Sequence, residues 1–239
     1  MTIILYDIPS TLPGKIWNPT VLKTRFCLNF KGIPFTTQWV EYVELEPLFK
    51  KLGIEPTGKW PDGRPFYSVP SIYDPSTGVY VSDSIKIAEY LEKTYPNTPT
   101  LFPGNTAGVQ SAFSEGFLSV LAPISGLALP SVLPNLNPIS IEYLRGRVEA
   151  VRSKDLEQDW IKLQEAMDQI NIWFGRNGGK GQFLLGEVIS WADIVVASIL
   201  FFLRRAWGED SEEWKKICSW NGGRWKNFSD AFKKYETVI

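Results

Sequence analysis

The sequence contains no histidine. That absence rules out a Ser-His-Asp triad, a Cys-His dyad and any zinc site built on imidazole. Any chemistry must rest on carboxylates, hydroxyls, amides, cysteine, lysine and arginine, or on groups a ligand brings, and no metal is expected. Cysteine is scarce too. Cys27 and Cys218 lie far apart and form no C-x-x-C, so a disulfide framework is not expected and a reducing compartment fits. Excess charge of either sign is missing: Lys+Arg 25 against Asp+Glu 26 gives a formal net charge of −1. Such a balance favours neither nucleic acid nor an anionic membrane as partner. Long apolar runs are lacking as well. The longest, IVVASILFFL (194–203), is too short to span a bilayer and is flanked by Asp193 and Arg204-Arg205, so it reads as a buried helix. The opening MTIILYDIPS has neither the basic region nor the apolar stretch of a signal peptide. The expectation is a soluble, cytoplasmic protein.

What is present in quantity is aromatic: 14% of residues, with ten tryptophans. A tryptophan-rich core explains this, and composition alone favours that explanation. A site for flat aromatic ligands is the sharper alternative. The 239 residues suffice for one or two domains with a core that needs no staples.

The chain divides at a punctuated segment, YPNTPTLFPGNTAG (95–108), whose prolines and glycines suit a linker. Ahead of it strands and helices alternate. TIILYD (2–7) reads as a strand and residues 20–30 as a helix stopped by Gly32-Ile33-Pro34. PFTTQWVEYV (34–43) reads as a strand, PLFKKLG (47–53) as a short helix, SVPSIYD (68–74) and VYVS (79–82) as a hairpin, and DSIKIAEYLEKTYP (83–96) as a helix ending before Pro96. The order β-α-β-α-β-β-α predicts a thioredoxin-like α/β domain. Beyond the linker the pattern is all-α. Val109, Phe113, Phe117, Val120 and Leu121 share one helical face until Pro123 and Pro130 disturb it, and a helix starts in EYLRGRVEAV (142–151). Trp160, Leu163, Met167, Ile170 and Phe174 line another face, ended by Gly175, Gly178 and Gly179. Ser190 and Asp193 are spaced as a capping box before the apolar run, and WKNFSDAFKKY (225–235) closes the chain as a helix. The predicted organisation is a thioredoxin-like domain over 1–95, a linker over 96–106 and an all-helical domain over 107–239.

Three local features carry chemical meaning. Asn18-Pro19 opens the first helix with a good N-cap and a ready-made N1. The cap alone accounts for Asn18, yet its amide NH2 is left over and, with the helix N-terminus, suits a thiolate. Val69-Pro70 enters a strand, where a cis bond would leave the Val69 N–H and C=O free to pair with an extended peptide. Asp83-Ser84 starts a helix. An Asp cap is the plain explanation, but a helix N-terminus with a serine hydroxyl also holds a carboxylate, and the adjacent aspartate an ammonium. Together the three describe one ligand with an amino-acid head, a peptide stretch and a reactive atom, which is the shape of glutathione.

At this point the sequence resembles the glutathione transferase family over essentially its whole length. NPTVLKTR (18–25) is similar to that family's residue-Pro-x-x-x-Lys/Arg-x-Arg opening of the first helix, and SVPSIYD (68–74) to the strand entered by its cis-proline. DSIKIAEYL (83–91) resembles its Glu/Asp-Ser-x-x-I-x-x-Tyr-Leu segment, and SWAD (190–193) the capping box of its helical domain. Within the family, KWPDGRPFYSVPSIYDPSTG (59–78) looks like the bacterial β-etherase type and still more like the etherase-related, fungal-specific class A transferases.

The resemblance implies a two-domain fold, a homodimer, glutathione as cosubstrate and aromatic second ligands, including polyphenols and lignin- or wood-derived ethers, in a detoxification role. It implies that Asp83 and Ser84 hold the γ-glutamyl group, that Val69 pairs with the cysteinyl unit, and that Pro70 is the cis-proline. Lys59 and Arg64 are candidates for the glycyl carboxylate. Asn18 falls where related classes carry Cys or Ser. An amide is no nucleophile, so thiol-transfer chemistry is disfavoured and Asn18 is left as a hydrogen-bond donor to sulfur; Ser10 and Thr11 are possible substitutes. Trp17, Phe113, Phe117 and Trp207 are the candidate lining of the aromatic site. The implied activity is glutathione transfer to aromatic electrophiles or cleavage of β-aryl ethers. The alternative is a ligandin-type protein that sequesters polyphenols without turnover. A purely structural scaffold has no need of the Asp83-Ser84 pair.

Overall fold

The computed structural model describes residues 2–237. Two units emerge. The first contains the chain up to Thr100, the stretch Leu136–Tyr143 and the tail from Tyr235; the second contains Leu101–Asn135 and Leu144–Lys234.

The first unit is built on a four-stranded sheet of order β2-β1-β5-β6, from β1 (Ile3–Asp7), β2 (Phe35–Trp39), β5 (Ser71–Asp74) and β6 (Val79–Ser82). β1 and β2 are parallel with Ile3 opposite Phe35, while β5 runs antiparallel to both β1 and β6. The β1–β2 crossover is α1 (Pro19–Lys31), and α3 (Ser84–Thr94) packs against it. Ile3, Leu5, Phe26, Phe35, Ile72, Ile87 and Leu91 are buried. This is the thioredoxin-like arrangement that the order of elements implied.

Two details differ from the sequence reading. The second strand stops at Trp39, and α2 (Tyr42–Leu52) begins five residues earlier than expected. Glu41 and Glu44 form a reciprocal capping box there, and Pro47 is tolerated inside the helix. The WPDGRP stretch forms a small hairpin, β3 (Gly58–Lys59) with β4 (Pro65–Phe66), braced by Trp60 edge-on to Phe66 at 4.8 Å.

Leu136–Tyr143 joins the first unit through side chains. Asn137 Nδ2 donates to Glu41 Oε1 at 2.6 Å, Ser140 donates to Glu41 Oε2, and Tyr143 stacks on Tyr42 at 5.2 Å.

The second unit is helical: α4 (Ala107–Val120), α5 (Pro123–Val132), α6 (Pro138–Val151, from Leu144 on), α7 (Leu156–Gly175), α8 (Trp191–Trp207), α9 (Glu212–Ser219) and α10 (Arg224–Phe232). Pro123 starts a helix and does not merely end one, because proline at N1 has no N–H to lose. The α4 face predicted from spacing is right for Phe117 and Leu121, but Val109 is 73% exposed. The apolar run 194–203 is the buried centre of α8, against which α4, α5, α9 and α10 pack. No single helix among the described residues is long and apolar enough to cross a membrane.

Gly126 marks a tight contact of α5 with the end of α6. A Cβ there would stand 2.6 Å from the Val151 carbonyl oxygen and 3.0 Å from the Ser153 N, both backbone atoms that cannot swing aside. Gly126→Ala is therefore expected to destabilise the protein by about 1–3 kcal/mol, as overpacking does. Thermal denaturation checks it, and an unchanged midpoint would mean that α5 shifts freely.

Candidate functional site

The site is assembled from three segments of the first unit. Asn18 has extended backbone (φ −71°, ψ 115°), and Pro19 follows as the first helical residue. Its Oδ1 accepts both the Thr20 N–H at 3.0 Å and the Thr20 hydroxyl at 2.7 Å. Two donors on that oxygen identify it as the carbonyl end, so the NH2 end is the one turned away from the helix. That NH2 has no hydrogen-bond partner among the described residues.

The Thr20 hydroxyl also lies 3.3 Å from the Val69 carbonyl oxygen, which ties the mouth of α1 to the second segment. The Val69-Pro70 bond is cis. The one Thr20 hydroxyl proton serves Asn18 Oδ1 at 2.7 Å or the Val69 C=O at 3.3 Å, while the Val69 N–H has no partner among the described residues.

The Pro70 carbonyl then accepts the Asp83 N–H at 3.2 Å, joining the third segment. Asp83 sits at φ 81°, ψ 129°, a conformation that costs a non-glycine residue energy and that clusters at functional sites. Its Oδ1 caps α3 by accepting the Ile85 and Lys86 N–H groups at 3.0 and 3.2 Å. The Ser84 hydroxyl, at the first position of α3, has no partner among the described residues. Beside Asp83 and Lys86 opens a cavity of about 290 Å³, lined also by Ile54, Pro56, Tyr80 and Ser82.

Asn18, Val69-Pro70 and Asp83-Ser84 thus lie along one hydrogen-bonded line, through Thr20 and through the Pro70 carbonyl. Sequence reasoning missed Thr20, which orients the amide, and Lys23. Lys23 is 7% exposed on α1 and makes no hydrogen bond among the described residues. Burial holds its ammonium below the usual lysine range, and the Asp83 carboxylate pulls the other way. The clue was a charged residue inside a helix that also carries the apolar Val21, Leu22 and Phe26.

The remaining expected residues fare differently. Lys59 and Arg64 lie exposed on the β3–β4 hairpin, and Arg64 Nε is paired with Asp62 Oδ2 of its own turn at 2.7 Å. Ser10 is no substitute donor: its hydroxyl donates to the Lys15 carbonyl at 2.9 Å and accepts from the Leu12 N–H at 3.3 Å. Trp17 is 3% exposed and its Nε1–H donates to the Ile8 carbonyl at 3.1 Å, so it anchors the loop between β1 and α1 and offers no ring face. Phe117 is 1% exposed and stacks on Phe113, itself edge-on to Trp173, so Phe117 is a packing residue. Trp207 and Phe113 are half-buried, and Trp207 lies against Trp160 at 5.4 Å. Cys27 is fully buried and burial pushes its thiol well above the usual range, which makes it inert. Among the described residues no group of three or more Cys, Asp or Glu stands ready to hold a metal ion.

Residues 17–94 match the glutathione S-transferase N-terminal domain family, and residues 108–235 the glutathione S-transferase C-terminal domain family. The glutathione transferase GSTFuA3 of Phanerochaete chrysosporium is 41% identical, with a TM-score of 0.94 over 100% of this chain and 99% of that one. A glutathione S-transferase of Ceriporiopsis subvermispora, solved in complex with glutathione, is 39% identical, with a TM-score of 0.92 over 100% and 99%. The glutathione S-transferase-like protein ustS of Aspergillus flavus is 34% identical over 92% of this chain and 86% of its own.

Proposed function

The chain belongs to the glutathione S-transferase family, and on that premise we propose that it binds glutathione along the Asn18–Val69–Asp83 line and transfers its sulfur to aromatic electrophiles, β-aryl ethers among them. The observation that carries this reading is the set of three donors left without partners among the described residues on that line: the Asn18 NH2, the Val69 N–H and the Ser84 hydroxyl. Ser84 and the mouth of α3 take the carboxylate of the γ-glutamyl head, and the carboxylate of Asp83 takes its ammonium. The Val69 N–H pairs with the cysteinyl carbonyl as an added strand would. The sulfur then comes to the mouth of α1, where the Asn18 amide donates to it.

A free thiol titrates at about 8.5, and lowering that by one unit takes about 1.4 kcal/mol of differential stabilisation. One amide donor and a helix N-terminus supply that much. The thiolate attacks an electrophilic carbon; in a β-aryl ether the C–S bond forms, the C–O bond breaks and the phenolate leaves with the electron pair. Wood- and lignin-derived polyphenols are the proposed second ligands, the homodimer the proposed assembly and the cytoplasm the proposed compartment. Phe113 and Trp207, both half-buried, are the proposed aromatic contacts.

The second reading is binding of polyphenols without turnover. It is favoured by Asn18, which offers sulfur an amide where a hydroxyl or thiol would be the stronger aid. The test is glutathione turnover with a fluorogenic β-aryl ether and an aryl halide, in the wild type, Asn18→Ala and Asn18→Ser. The transferase reading expects Asn18→Ala to fall several-fold in kcat and Asn18→Ser to hold or exceed the wild-type rate. Tight polyphenol binding with no turnover of either substrate makes the protein a binder. For the head group, Ser84→Ala is expected to weaken glutathione about tenfold, the loss of one hydrogen bond to a carboxylate. Unchanged affinity by calorimetry would remove Ser84 from the site.

A further inference from the structure

We infer that Lys23 is a ligand-binding residue: its ammonium supplies the positive pole that receives the α-carboxylate of the γ-glutamyl head, opposite the Asp83 carboxylate that receives its ammonium. The inference rests on the glutathione-binding reading above and adds to it a residue from a different helix.

Lys23 is 7% exposed, and a lysine buried to that degree is almost always paired. Lys23 is not: it makes neither a hydrogen bond nor a salt bridge within the described residues. It stands on α1 between buried Leu22 and buried Thr24, with Phe26 and Cys27 one turn on, and the charge it feels is that of Asp83, at the mouth of α3. α1 and α3 pack against each other, and the Thr20 hydroxyl near the Val69 carbonyl and the Asp83 N–H on the Pro70 carbonyl bring the two helix mouths to the same strand entry. The Asp83 carboxylate does not close onto Lys23. Its Oδ1 is held by the Ile85 and Lys86 N–H groups, and the backbone that aims Asp83 this way is the φ 81° conformation. A largely buried cation on α1 thus feels the charge of a strained anion at the mouth of α3 with no salt bridge between them, and the Ser84 hydroxyl next to that anion in sequence has no partner among the described residues.

That geometry is costly for a protein in isolation. Desolvating an ammonium without a hydrogen-bonded counter-ion opposes folding. It makes sense if the missing partner arrives as ligand. The head of glutathione is a zwitterion whose carboxylate and ammonium share one carbon, so the complement is one cation and one anion a few ångströms apart with a neutral donor between them. Lys23, Ser84 and Asp83 supply those three kinds of group, with Ser84 and Asp83 adjacent at the mouth of α3 and Lys23 within the electrostatic reach of Asp83. Val69 and Asn18 read the peptide and the thiol. The Lys23–Asp83 pair would distinguish a γ-glutamyl head from other acyl groups on the same cysteinylglycine.

The test compares three ligands on the full-length protein by calorimetry: glutathione, 4-aminobutyryl-cysteinylglycine, which keeps the ammonium and lacks the α-carboxylate, and glutaryl-cysteinylglycine, which keeps the carboxylate and lacks the ammonium. Lys23→Met is expected to weaken glutathione and the glutaryl analogue by about ten- to a hundredfold, the range of one charge-assisted hydrogen bond. Its affinity for the aminobutyryl analogue should equal that of the wild type. Lys23→Arg should restore most of the glutathione affinity. Lys23→Met should also melt at or above the wild-type temperature, since it removes a largely buried charge that has no salt bridge among the described residues. Equal weakening for all three ligands together with a lower melting temperature would make Lys23 a structural residue and overturn the inference. Unchanged glutathione affinity in Lys23→Met, with Ser84→Ala still weakened, would overturn it while leaving the glutathione site in place. A wild type that binds no glutathione would overturn both.

Discussion

Replacing Asp193 with alanine is expected to cost about 4 kcal/mol of folding stability and to lower the melting temperature by roughly 10 °C. Asp193 is 0% exposed at the third position of α8, the helix at the centre of the second unit. Its Oδ2 accepts the Ser190 N–H at 2.9 Å and the Ser190 hydroxyl at 2.7 Å, and its Oδ1 accepts the Leu184 N–H at 2.8 Å. One carboxylate thus caps the helix and pins the preceding turn to it. Alanine removes the acceptor and leaves the Leu184 and Ser190 N–H groups with no bond from residue 193; each buried donor left unsatisfied costs about 1–3 kcal/mol. The Asp193→Asn variant keeps one acceptor oxygen but turns an NH2 toward a donor, so it should fall between. A loss below about 1 kcal/mol for the alanine variant, measured by urea unfolding, would mean that water enters and takes over the role.

The same residue gives a pH dependence with a definite sign. Burial pushes the Asp193 carboxyl up to about 6 from 3.8, against the donors that pull it down. A group whose folded-state pKa is raised binds a proton on folding. Its contribution is full below about pH 4 and is lost as pH rises through about 6. Between pH 4 and 6 the wild type should therefore lose stability as pH rises relative to Asp193→Asn, which has nothing to titrate. A difference that grows in the opposite sense would place the folded carboxyl below its unfolded value.

The local structure around the candidate site was legible in the sequence because its parts are local. Asn18-Pro19 and Asp83-Ser84 announce helix starts by residue type, Val69-Pro70 announces a strand entry, and all three lie where the chain reverses. Ser190 and Asp193 were legible for the same reason. What escaped depends on partners far away in the chain. The start of α2 at Tyr42 hung on Glu41, whose carboxylate also serves Asn137 and Ser140 nearly a hundred residues later. Trp17 and Phe117 looked like ligand contacts because spacing tells which face a ring is on, not whether that face is already covered. α9 went unread because only Trp214 and Ile217 face inward over its two turns. Thr20 and Lys23 were inside the first-helix motif, but what gives them meaning is Val69 and Asp83, and no periodicity links residue 23 to residue 83.

Arg25→Met is expected to destabilise the first unit by about 3–5 kcal/mol, the cost of leaving a buried charge without its partner. Arg25 is 0% and Asp7 1% exposed, with Arg25 Nη2 3.0 Å from Asp7 Oδ2 and 3.1 Å from the Thr37 hydroxyl. The guanidinium lies over the rings of Phe35 at 5.4 Å and Trp39 at 5.8 Å, while its Nε and Nη1 have no hydrogen-bond partner among the described residues. The rings offer partial compensation for those two donors. Burial raises the Asp7 carboxyl to about 6, and Arg25 holds it from rising further. Without Arg25 the carboxyl should move higher still and take up a proton on folding near neutral pH, so that the variant's stability improves steeply on acidification. The consequence reaches the site through a short relay: Asp7 Oδ1 accepts the Ile8 N–H at 2.8 Å, the Ile8 carbonyl accepts Trp17 Nε1, and Asn18 follows Trp17. Arg25→Met should therefore weaken glutathione binding as well as stability, although Arg25 touches no ligand. Pairing it with Asp7→Leu removes both charges and should recover much of the stability, as replacing a whole buried ion pair does. It should not recover the binding, because the Ile8 N–H loses its acceptor. Recovery of both together would mean that the pair fixes the strand alone, and that the loop carrying Asn18 holds its shape without it.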